Sequence, residues 1–254
     1  MRKFFTIASL MALTLSACSK EATQSEQEGK GQVTINCKTE TMVDTRANIS
    51  CTLPEFEDFT LKIEGVDSNY TAEYAAIADF NDDSYLHHGN YKATVVAGDI
   101  TKEGYDKATF VGVKEFSVEA RKSSDVEITA TIANALVKVE VTEAFEDYFV
   151  GGHTLKLTTA AGNEFDVTKQ EEPIFIAPET FTISGTAVKQ PNQSGAEGVT
   201  VALPDYKPKE VKAQTLYTVK MDVETAGNAT LNITLNDTLV ESIDIEQELN
   251  DNAQ

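Results

Sequence analysis

The sequence predicts an all-β protein, and two patterns lead to that prediction. Polar and apolar residues alternate along a dozen short segments, as they do in strands that place one face against a core. Turn-forming pairs separate these segments, among them Gly89-Asn90, Gly151-Gly152 and Gly227-Asn228. Helical spacing is weak and is confined to a stretch from Tyr70 to Phe80 and to Glu143–Phe149. Short alternating strands between such turns are typical of β-sandwiches.

Residues 1–17 are predicted to form a lipoprotein signal peptide. Arg2 and Lys3 precede an apolar run that ends at Leu15 and is too short to span a membrane. The run leads into Leu15-Ser16-Ala17-Cys18, which resembles a bacterial lipobox, in which the cysteine is acylated and becomes the new N-terminus. We therefore expect Cys18 to anchor the protein in the outer membrane, because several acyl chains give lasting attachment. The alternative is an ordinary secretory signal that leaves Cys18 as a free thiol.

Residues 18–30 are predicted to form the acylated cysteine and a flexible tether, since they are polar and acidic and have no apolar period. Ser19-Lys20-Glu21 resembles, in part, the export signal that sends Bacteroidetes lipoproteins to the outside of the cell. The protein is therefore expected to face the cell exterior, with a periplasmic orientation as the alternative.

The remaining chain is interpreted as two Ig-like or transthyretin-like β-sandwich domains, residues 31–133 and 134–254. The boundary falls at Ala133-Asn134-Ala135, and each half contains a turn, an aromatic-headed strand, a polar loop and a long strand. One elongated sandwich is the alternative. The strands are predicted at Gln32–Cys37, Phe59–Ile63, Tyr91–Val96, Glu115–Val118, Val126–Ile132, Val137–Val141, Leu155–Thr159, Thr180–Thr186, Val199–Leu203, Leu216–Val223, Thr230–Leu235 and Leu239–Ile245.

Several short motifs occur in an informative order along the chain. They include Val33-Thr34-Ile35, Thr45-Arg46-Ala47, Gly89-Asn90-Tyr91-Lys92-Ala93, Phe110-Val111-Gly112 and Ala133-Asn134-Ala135-Leu136-Val137. This order resembles an uncharacterised family of Bacteroidetes lipoproteins, a domain of unknown function related in style to fimbrillin-like surface proteins. The resemblance runs from near Gly31 to the end of the chain. It implies a two-part β fold and display at the cell surface, and it brings no catalytic residues with it.

The three cysteines predict one lipid anchor and one disulfide bond. With Cys18 acylated, Cys37 and Cys51 remain, and the compartment beyond the inner membrane favours their oxidation to a disulfide. Closing that short loop would stabilise the fold by about 3 kcal/mol in the chain-entropy model. Two free buried thiols are the alternative.

The resemblance also implies a candidate proteolytic site at Arg46-Ala47. Fimbrillin-like subunits can assemble by strand donation after a cut near an arginine, and a cut here would free the first strand. A Cys37–Cys51 disulfide would hold that strand across the cut. The sequence therefore favours a monomeric display module over a polymerising subunit.

Three further sets of residues are candidates for ligand chemistry. Asp79-Phe80-Asn81-Asp82-Asp83 resembles a calcium loop, but it lacks the turn glycine and the final bidentate glutamate, so we interpret it as a solvated acidic loop. The histidines His87, His88 and His153 are interpreted as surface loop residues. Asp237-Thr238-Leu239 resembles the acceptor for O-glycans on exported Bacteroidetes proteins, which makes Thr238 a candidate, with a plain turn as the alternative.

Composition excludes one class of partner and disfavours catalysis. The chain has 21 Lys and Arg against 41 Asp and Glu, and removing residues 1–17 changes the formal charge from −20 to −22. Such a surface is incompatible with nucleic-acid binding through phosphates. With three histidines, no tryptophan and no recognisable catalytic or metal motif, we predict no enzyme activity, cofactor or metal.

The predicted function is that of a non-enzymatic cell-envelope lipoprotein. It is expected to be displayed at the outer surface and to act in adhesion or protein interaction, with an unknown protein or glycan as partner. A surface glycan-binding lipoprotein, or a weak glycan-processing enzyme, is the alternative.

Overall fold

The computed structural model describes residues 29–41, 49–82, 84–189, 198–225, 228–235 and 238–245, with side chains described as far as Asp222. Within these ranges the fold is all-β, as the alternation predicts. The strands are β1 (Lys30–Glu40), β2 (Thr60–Gly65), β3 (Thr71–Tyr74), β4 (Tyr85–His87), β5 (Gly89–Ala97), β6 (Phe110–Val118), β7 (Ser123–Ile132), β8 (Ala135–Val141), β9 (His153–Thr159), β10 (Glu164–Asp166), β11 (Ile174–Ile176), β12 (Phe181–Val188), β13 (Thr200–Tyr206), β14 (Leu216–Thr225), β15 (Asn228–Leu235) and β16 (Thr238–Ile245).

Helices are few and short in the described ranges: α1 (Ile77–Asn81), α2 (Glu143–Tyr148) and a 3₁₀ turn at Phe56–Asp58. The helix predicted over Glu143–Phe149 is confirmed. The helical spacing from Tyr70 to Phe80 predicts the structure only in its second half. Thr71–Tyr74 pairs with β2 as an edge strand, and α1 begins after it. The four short strands β3, β4, β10 and β11 lack enough alternating residues to be recognised in the sequence.

The strands form three sheets. Residues 30–132 supply a seven-stranded sheet in the order β3-β2-β5-β6-β7-β1-β4. Residues 135–245 supply a four-stranded sheet, β10-β9-β12-β13, and a five-stranded sheet, β11-β8-β14-β15-β16. Pairing is antiparallel except between β1 and β7 and between β8 and β14, which are parallel. Two parallel strands need a long connection between them, and almost the whole N-terminal half of the chain lies between β1 and β7.

Each half has its own hydrophobic cluster. In the N-terminal half, Val33 and Ile35 of β1 are completely buried and share a cluster with Ile128 of β7. In the C-terminal half, apolar residues of the four-stranded and five-stranded sheets share a second cluster, as in a β-sandwich. Helix α2 adds Phe145 and Tyr148 to that cluster, and the Thr142 hydroxyl caps the helix by accepting a hydrogen bond from the Phe145 amide at 3.2 Å.

The two clusters share a wall formed by β8 and β11. Ile174 and Ile176 of β11 belong to the C-terminal cluster, whereas Phe175 between them packs into the N-terminal cluster. Val137 and Leu136 of β8 divide in the same way. Both faces of β11 and of the start of β8 (Ala135-Leu136-Val137) are therefore buried, which explains why these stretches are continuously apolar, whereas β8 alternates from Val137 to Val141. The sheets divide near Asn134 and the cores on either side are in contact, so the division into domains 31–133 and 134–254 stays a prediction.

Polar contacts fasten the halves at the same wall. Asn134 is completely buried, and its Oδ1 accepts a hydrogen bond from the Thr109 amide at 2.6 Å. The Glu103 carboxylate accepts hydrogen bonds from the Ala177 amide at 2.9 Å and from Asn163 Nδ2 at 2.8 Å. Gly104 and Phe175 exchange both backbone hydrogen bonds. These bonds fix the orientation of one half against the other.

Candidate functional site

A groove of about 630 Å³ lies on the outer face of the four-stranded sheet. The strands that form it are β9, β10, β12 and β13, whose inward residues Leu157, Phe181 and Ile183 fill the C-terminal core. Since successive side chains of a strand point to opposite faces, the groove is lined mainly by the polar residues of the same strands. Its volume falls in the range of small-ligand sites.

Two rows of side chains cross the groove. Asp166 of β10, Lys156 of β9 and Ser184 of β12 are direct neighbours in the ladder, with Asp205 of β13 beyond them. In the adjacent row, Thr154 pairs with Thr186, which in turn pairs with Ala202. The Thr154 and Thr186 hydroxyls are hydrogen-bonded to each other at 2.9 Å. The floor therefore presents hydroxyls in one row and charges in the other.

An irregularity in β12 shapes the concave surface. The register between β12 and β13 shifts between Ile183 and Gly185, and such a bulge bends and twists the strand that carries it. Gly185 lies so close to the backbone of β9 that an added Cβ would collide with the Thr154 carbonyl oxygen. A residue without a side chain is therefore required where β12 approaches β9.

The charges along the groove are ordered by short contacts. Lys156 Nζ donates to Glu164 Oε1 at 2.8 Å. Hydrogen bonds from the Thr168 hydroxyl and the Thr168 amide, the latter at 2.9 Å, lower the pKa of Asp166 below its ordinary value. Asp166 is consequently a carboxylate at neutral pH. With Asp205, the groove carries three carboxylates and one ammonium group, so its charge is negative.

The turn at Gly104-Tyr105-Asp106 brings an aromatic residue of the other half near Phe165 and Asp166, which line the groove. Tyr105 is 43% exposed, and the pKa of its hydroxyl is raised by partial burial and then by the charge of nearby Asp166. A Cβ at Gly104 would lie 3.8 Å from the ring of Phe165, which lines the groove. The wall between the halves therefore sets the position of Tyr105.

Asp106 fixes this turn to the segment that follows the candidate cleavage site. Its Oδ1 accepts a hydrogen bond from the Thr52 amide at 2.8 Å, and its Oδ2 accepts one from the Thr52 hydroxyl at 2.7 Å. Asp106 has a φ of 51°, in the left-handed region that aspartate tolerates better than most residues. These bonds lower the pKa of Asp106 from its ordinary value of 3.8.

We predict that the contact between Asp106 and Thr52 is lost in acid. Because the folded-state pKa is lowered, its contribution to stability is complete above pH 3.8 and disappears as the pH falls through the lowered value. Exchange of the Thr52 amide proton, followed from pH 7 to pH 2 and corrected for intrinsic rates, should show loss of protection below pH 3.8. Asp106→Asn should lower protection at neutral pH and remove its dependence on acid. Equal protection of the wild-type amide at pH 2 and pH 7 would contradict the prediction.

Comparison with known families decides the classification of the chain. Residues 29–251 match the model of a family described as a domain of unknown function, DUF4493. The chain belongs to this family. The sequence-based recognition of an uncharacterised family is therefore confirmed. A search of curated proteins found no match.

Solved structures similar to this DUF4493 member come from species of Parabacteroides and Bacteroides. A fimbrial assembly protein from Parabacteroides distasonis is 10% identical, with a TM-score of 0.44 over 82% of this chain and 98% of the other. A protein from Bacteroides eggerthii, provisionally named a cell adhesion protein, is 9% identical, with a TM-score of 0.43 over 84% and 96%. Another from Bacteroides thetaiotaomicron, provisionally named polysaccharide binding, is 8% identical, with a TM-score of 0.40 over 81% and 98%.

The two cysteines predicted to pair contact the same N-terminal cluster. Cys37 lies on β1, and Cys51 directly precedes Thr52, the residue that bonds to Asp106. Both cysteines are partly buried. In the structure both are free thiols, and burial raises the pKa of each. A raised pKa keeps a thiol protonated and slows its reactions. The Cys37–Cys51 disulfide stays a prediction.

We expect the disulfide in protein isolated from the cell envelope. Iodoacetamide under denaturing conditions should then modify neither cysteine until a reductant is added, and Cys51→Ser should expose Cys37 to the reagent without reduction. Loss of the bond should lower the free energy of unfolding by about 3 kcal/mol. Modification of both thiols in unreduced wild-type protein would contradict the prediction.

The other predicted modification sites lie mostly outside the described residues. This is the case for the lipidation site Cys18, with the signal peptide and most of the tether, and for the cleavage site Arg46-Ala47. Thr238, the candidate for O-glycosylation, is the first residue of β16 and pairs with Leu235. These modifications stay predictions.

Two interpretations of the polar residues change. Asn81 belongs to α1 rather than to a loop, and its amide accepts from the Ile35 amide and donates to the Ile35 carbonyl oxygen, both at 3.1 Å. It therefore pairs with β1 beyond the end of β4. The surface-loop interpretation of His153 was wrong: the residue begins β9, its Nε2 is buried, and its ring meets Phe145 edge-on at 5.4 Å. His87 is exposed on β4.

A metal-binding cluster and a membrane-spanning helix are both absent from the described residues. These residues include no group of three or more His, Cys, Asp or Glu side chains arranged to hold a metal ion. Among them, too, no helix combines the length and apolar character needed to cross a membrane.

Proposed function

We propose that this protein is a non-enzymatic lipoprotein, anchored through Cys18 and displayed at the outer surface of the cell, where it acts in adhesion. The observation that carries the proposal is the parallel pairing of β1 with β7. Nine consecutive residue pairs join the two strands, from Gln32 and Ser123 to Glu40 and Thr131. This pairing connects the predicted anchor to the rest of the molecule.

The direction of the two strands determines how they respond to tension. β1 begins at Lys30, directly after the predicted tether, so an anchored cell pulls on its N-terminal end. β7 ends at Ile132 and continues into the C-terminal half, so a partner bound there pulls on the opposite end. Parallel strands pulled from opposite ends slide along each other, and their hydrogen bonds resist together instead of breaking one after another.

The contacts between the halves continue this path. Phe175 and Leu136 pack into the N-terminal cluster. The Glu103 carboxylate accepts hydrogen bonds from the Ala177 amide and from Asn163 Nδ2 of the C-terminal half. Tension from the groove therefore passes through a packed wall before it reaches β7. An adhesion protein needs this continuity, because its two functional ends must not separate under flow.

Strand donation is an additional proposal with a separate test. A cut at Arg46-Ala47 would leave β1 held by β7, β4 and Asn81, and its loss would expose Ile128 and the other buried residues of β7. A Cys37–Cys51 bond would retain β1. We expect the chain to remain monomeric by size-exclusion chromatography after cleavage by an arginine-specific protease. Oligomers that form with loss of β1 would overturn this expectation.

A surface glycan-binding role is the second candidate, and the groove is the observation that favours it. Hydroxyls and carboxylates line it, and the exposed Tyr105 lies near its Asp166. This role is compatible with adhesion, since a glycan can be the partner that is held.

Attachment under flow tests the proposed function. Cells that produce the wild-type protein should resist detachment from mucin-coated surfaces and from other bacterial cells. Cells that produce Cys18→Ser should lose both the surface-labelled protein and the attachment. If the protein is labelled at the surface of wild-type cells but its removal leaves attachment to both surfaces unchanged, the adhesion proposal is wrong.

Single-molecule pulling tests the path of tension. With handles at Gly29 and at Val150, which is 62% exposed, β1 and β7 are loaded from opposite ends. With handles at Gly29 and exposed Lys122, the same pair is loaded from one end and should peel apart. We expect a rupture force several-fold higher in the first geometry, because forced unfolding follows the barrier along the pulling direction. Equal forces would contradict the proposed path.

A further inference from the structure

We propose that the groove on the outer face of the four-stranded sheet binds a neutral oligosaccharide. The inference rests on the proposed adhesion function and names the ligand class of this groove. Its volume of about 630 Å³ suits a short chain of sugar rings rather than a protein surface.

The hydrogen-bonding groups of the floor match a polyol. Each hydroxyl of Thr154, Ser184 and Thr186 can donate one hydrogen bond and accept others, as sugar hydroxyls do. The carboxylates of Asp166 and Asp205 accept only, and hydrogen bonds from sugar hydroxyls to ionised acceptors are stronger than those between neutral groups. Hydroxyls and carboxylates thus lie on neighbouring strands of the sheet, which are about 4.8 Å apart.

These groups are fixed before a ligand arrives. Thr154 and Thr186 hold each other at 2.9 Å, Lys156 is held by Glu164 at 2.8 Å, and the Thr168 amide orients Asp166. Most of them belong to β9 and β12, the two central strands of the sheet. A ligand therefore binds with little additional loss of side-chain entropy.

Tyr105 supplies the apolar contact beside the groove. A pyranose ring has a face of C–H groups that packs on an aromatic ring, and the tyrosine hydroxyl can bond to a neighbouring sugar hydroxyl. Tyr105 is 43% exposed, and a Cβ on the preceding Gly104 would lie 3.8 Å from the ring of Phe165, so a sugar ring on the face of Tyr105 would lie beside the groove, on the side of Asp166. The half-buried ring of Phe165 extends the apolar surface.

The charge of the groove selects among glycans. Glu164, Asp166 and Asp205 outweigh Lys156, and the predicted mature chain as a whole has a formal charge of −22. Uronic acids, sulfated sugars and sialic acids would be repelled at such a surface. Neutral hexoses and N-acetylhexosamines keep every hydrogen bond described above without that penalty.

The experiment uses the soluble chain that begins at Ser19 on an array of neutral glycans (mannan, β-glucan, starch and chitin oligosaccharides) and acidic ones (polygalacturonate, hyaluronan, heparin). Binding of at least one neutral glycan is expected, followed by affinity measurement on that glycan. Tyr105→Ala should weaken binding about tenfold or more. Tyr85→Ala is the matched control, because Tyr85 is 38% exposed on β4, away from the groove, and should bind like the wild type.

A second variant keeps the test independent of the Tyr105 turn. Thr186→Val preserves side-chain shape and removes one groove hydroxyl, so it should weaken binding with no change in thermal unfolding. The inference is overturned if no neutral glycan binds, if only acidic glycans bind, or if both variants bind like the wild type. Attachment of cells under flow that persists in any of these cases would leave the adhesion function standing and remove only the ligand class.

Discussion

Replacement of Phe175 by alanine is expected to destabilise both halves of the protein together, by about 3–5 kcal/mol in free energy of unfolding. The side chain is 1% exposed and packs in the N-terminal cluster, although its strand belongs to the C-terminal half. Its removal leaves a cavity in the wall between the cores. The two backbone hydrogen bonds between Phe175 and Gly104 then lose the packing that holds them in place.

Hydrogen exchange resolves this prediction by region. In Phe175→Ala, amides of β5 in the N-terminal half and of β12 in the C-terminal half should both lose protection. The matched control is Phe181→Ala, whose side chain is equally buried but belongs only to the C-terminal cluster. The control should loosen β12 and leave β5 protected. If Phe175→Ala loosens only one half, the shared wall does not couple the two.

Replacement of Gly112 by valine is expected to have the second large effect, a destabilisation of more than the roughly 1–3 kcal/mol typical of one overpacked methylene. Gly112 lies inside β6 and faces the N-terminal core. An added Cβ would lie 2.7 Å from Ile128 Cγ2 and 2.8 Å from the Thr129 carbonyl oxygen, both on β7. A flexible side chain could move away, but the carbonyl oxygen belongs to a backbone that is paired with β1.

A substitution series measures this cost. Gly112→Ala should lower the midpoint of denaturant unfolding, and Gly112→Val should lower it further without changing the denaturant dependence. The neighbouring residue provides the control: Val113 is 56% exposed on the opposite face, so Val113→Ala should stay within about 0.5 kcal/mol of the wild type. A Gly112→Ala variant as stable as the wild type would show that β6 can move away from β7.

The positions of the strands were predictable because alternation depends on local sequence. Each of the twelve predicted segments coincides with a strand of the structure, although three of them, Phe59–Ile63, Thr180–Thr186 and Val199–Leu203, begin one residue before their strand. The motif Phe110-Val111-Gly112, first noted as part of a family resemblance, has a physical explanation in the close approach of β6 to β7. The short strands β10 and β11 were missed, since three residues cannot establish a period of two.

The groove was not predictable, although each of its residues is visible in the sequence. Thr154, Lys156, Ser184 and Thr186 look like the ordinary outer faces of two strands. They form one surface because β12 pairs with β9 although the segment that contains β10 and β11 lies between them in the chain, with Asp166 of β10 on one side. Strand order decides which outward residues become neighbours, and the alternation of a single strand contains no information about its partners.

The sequence by itself determined the fold class, the family and the predicted export of this protein, because each depends on local patterns: alternation, short motifs and a signal at the N-terminus. Tertiary structure alone decided that β1 runs parallel to β7, that Phe175 joins the opposite core, and that Tyr105 of the N-terminal half lies near Asp166, which lines a groove in the C-terminal half. These features depend on contacts between residues far apart in the chain, whose free energy is set by packing and not by neighbouring residues.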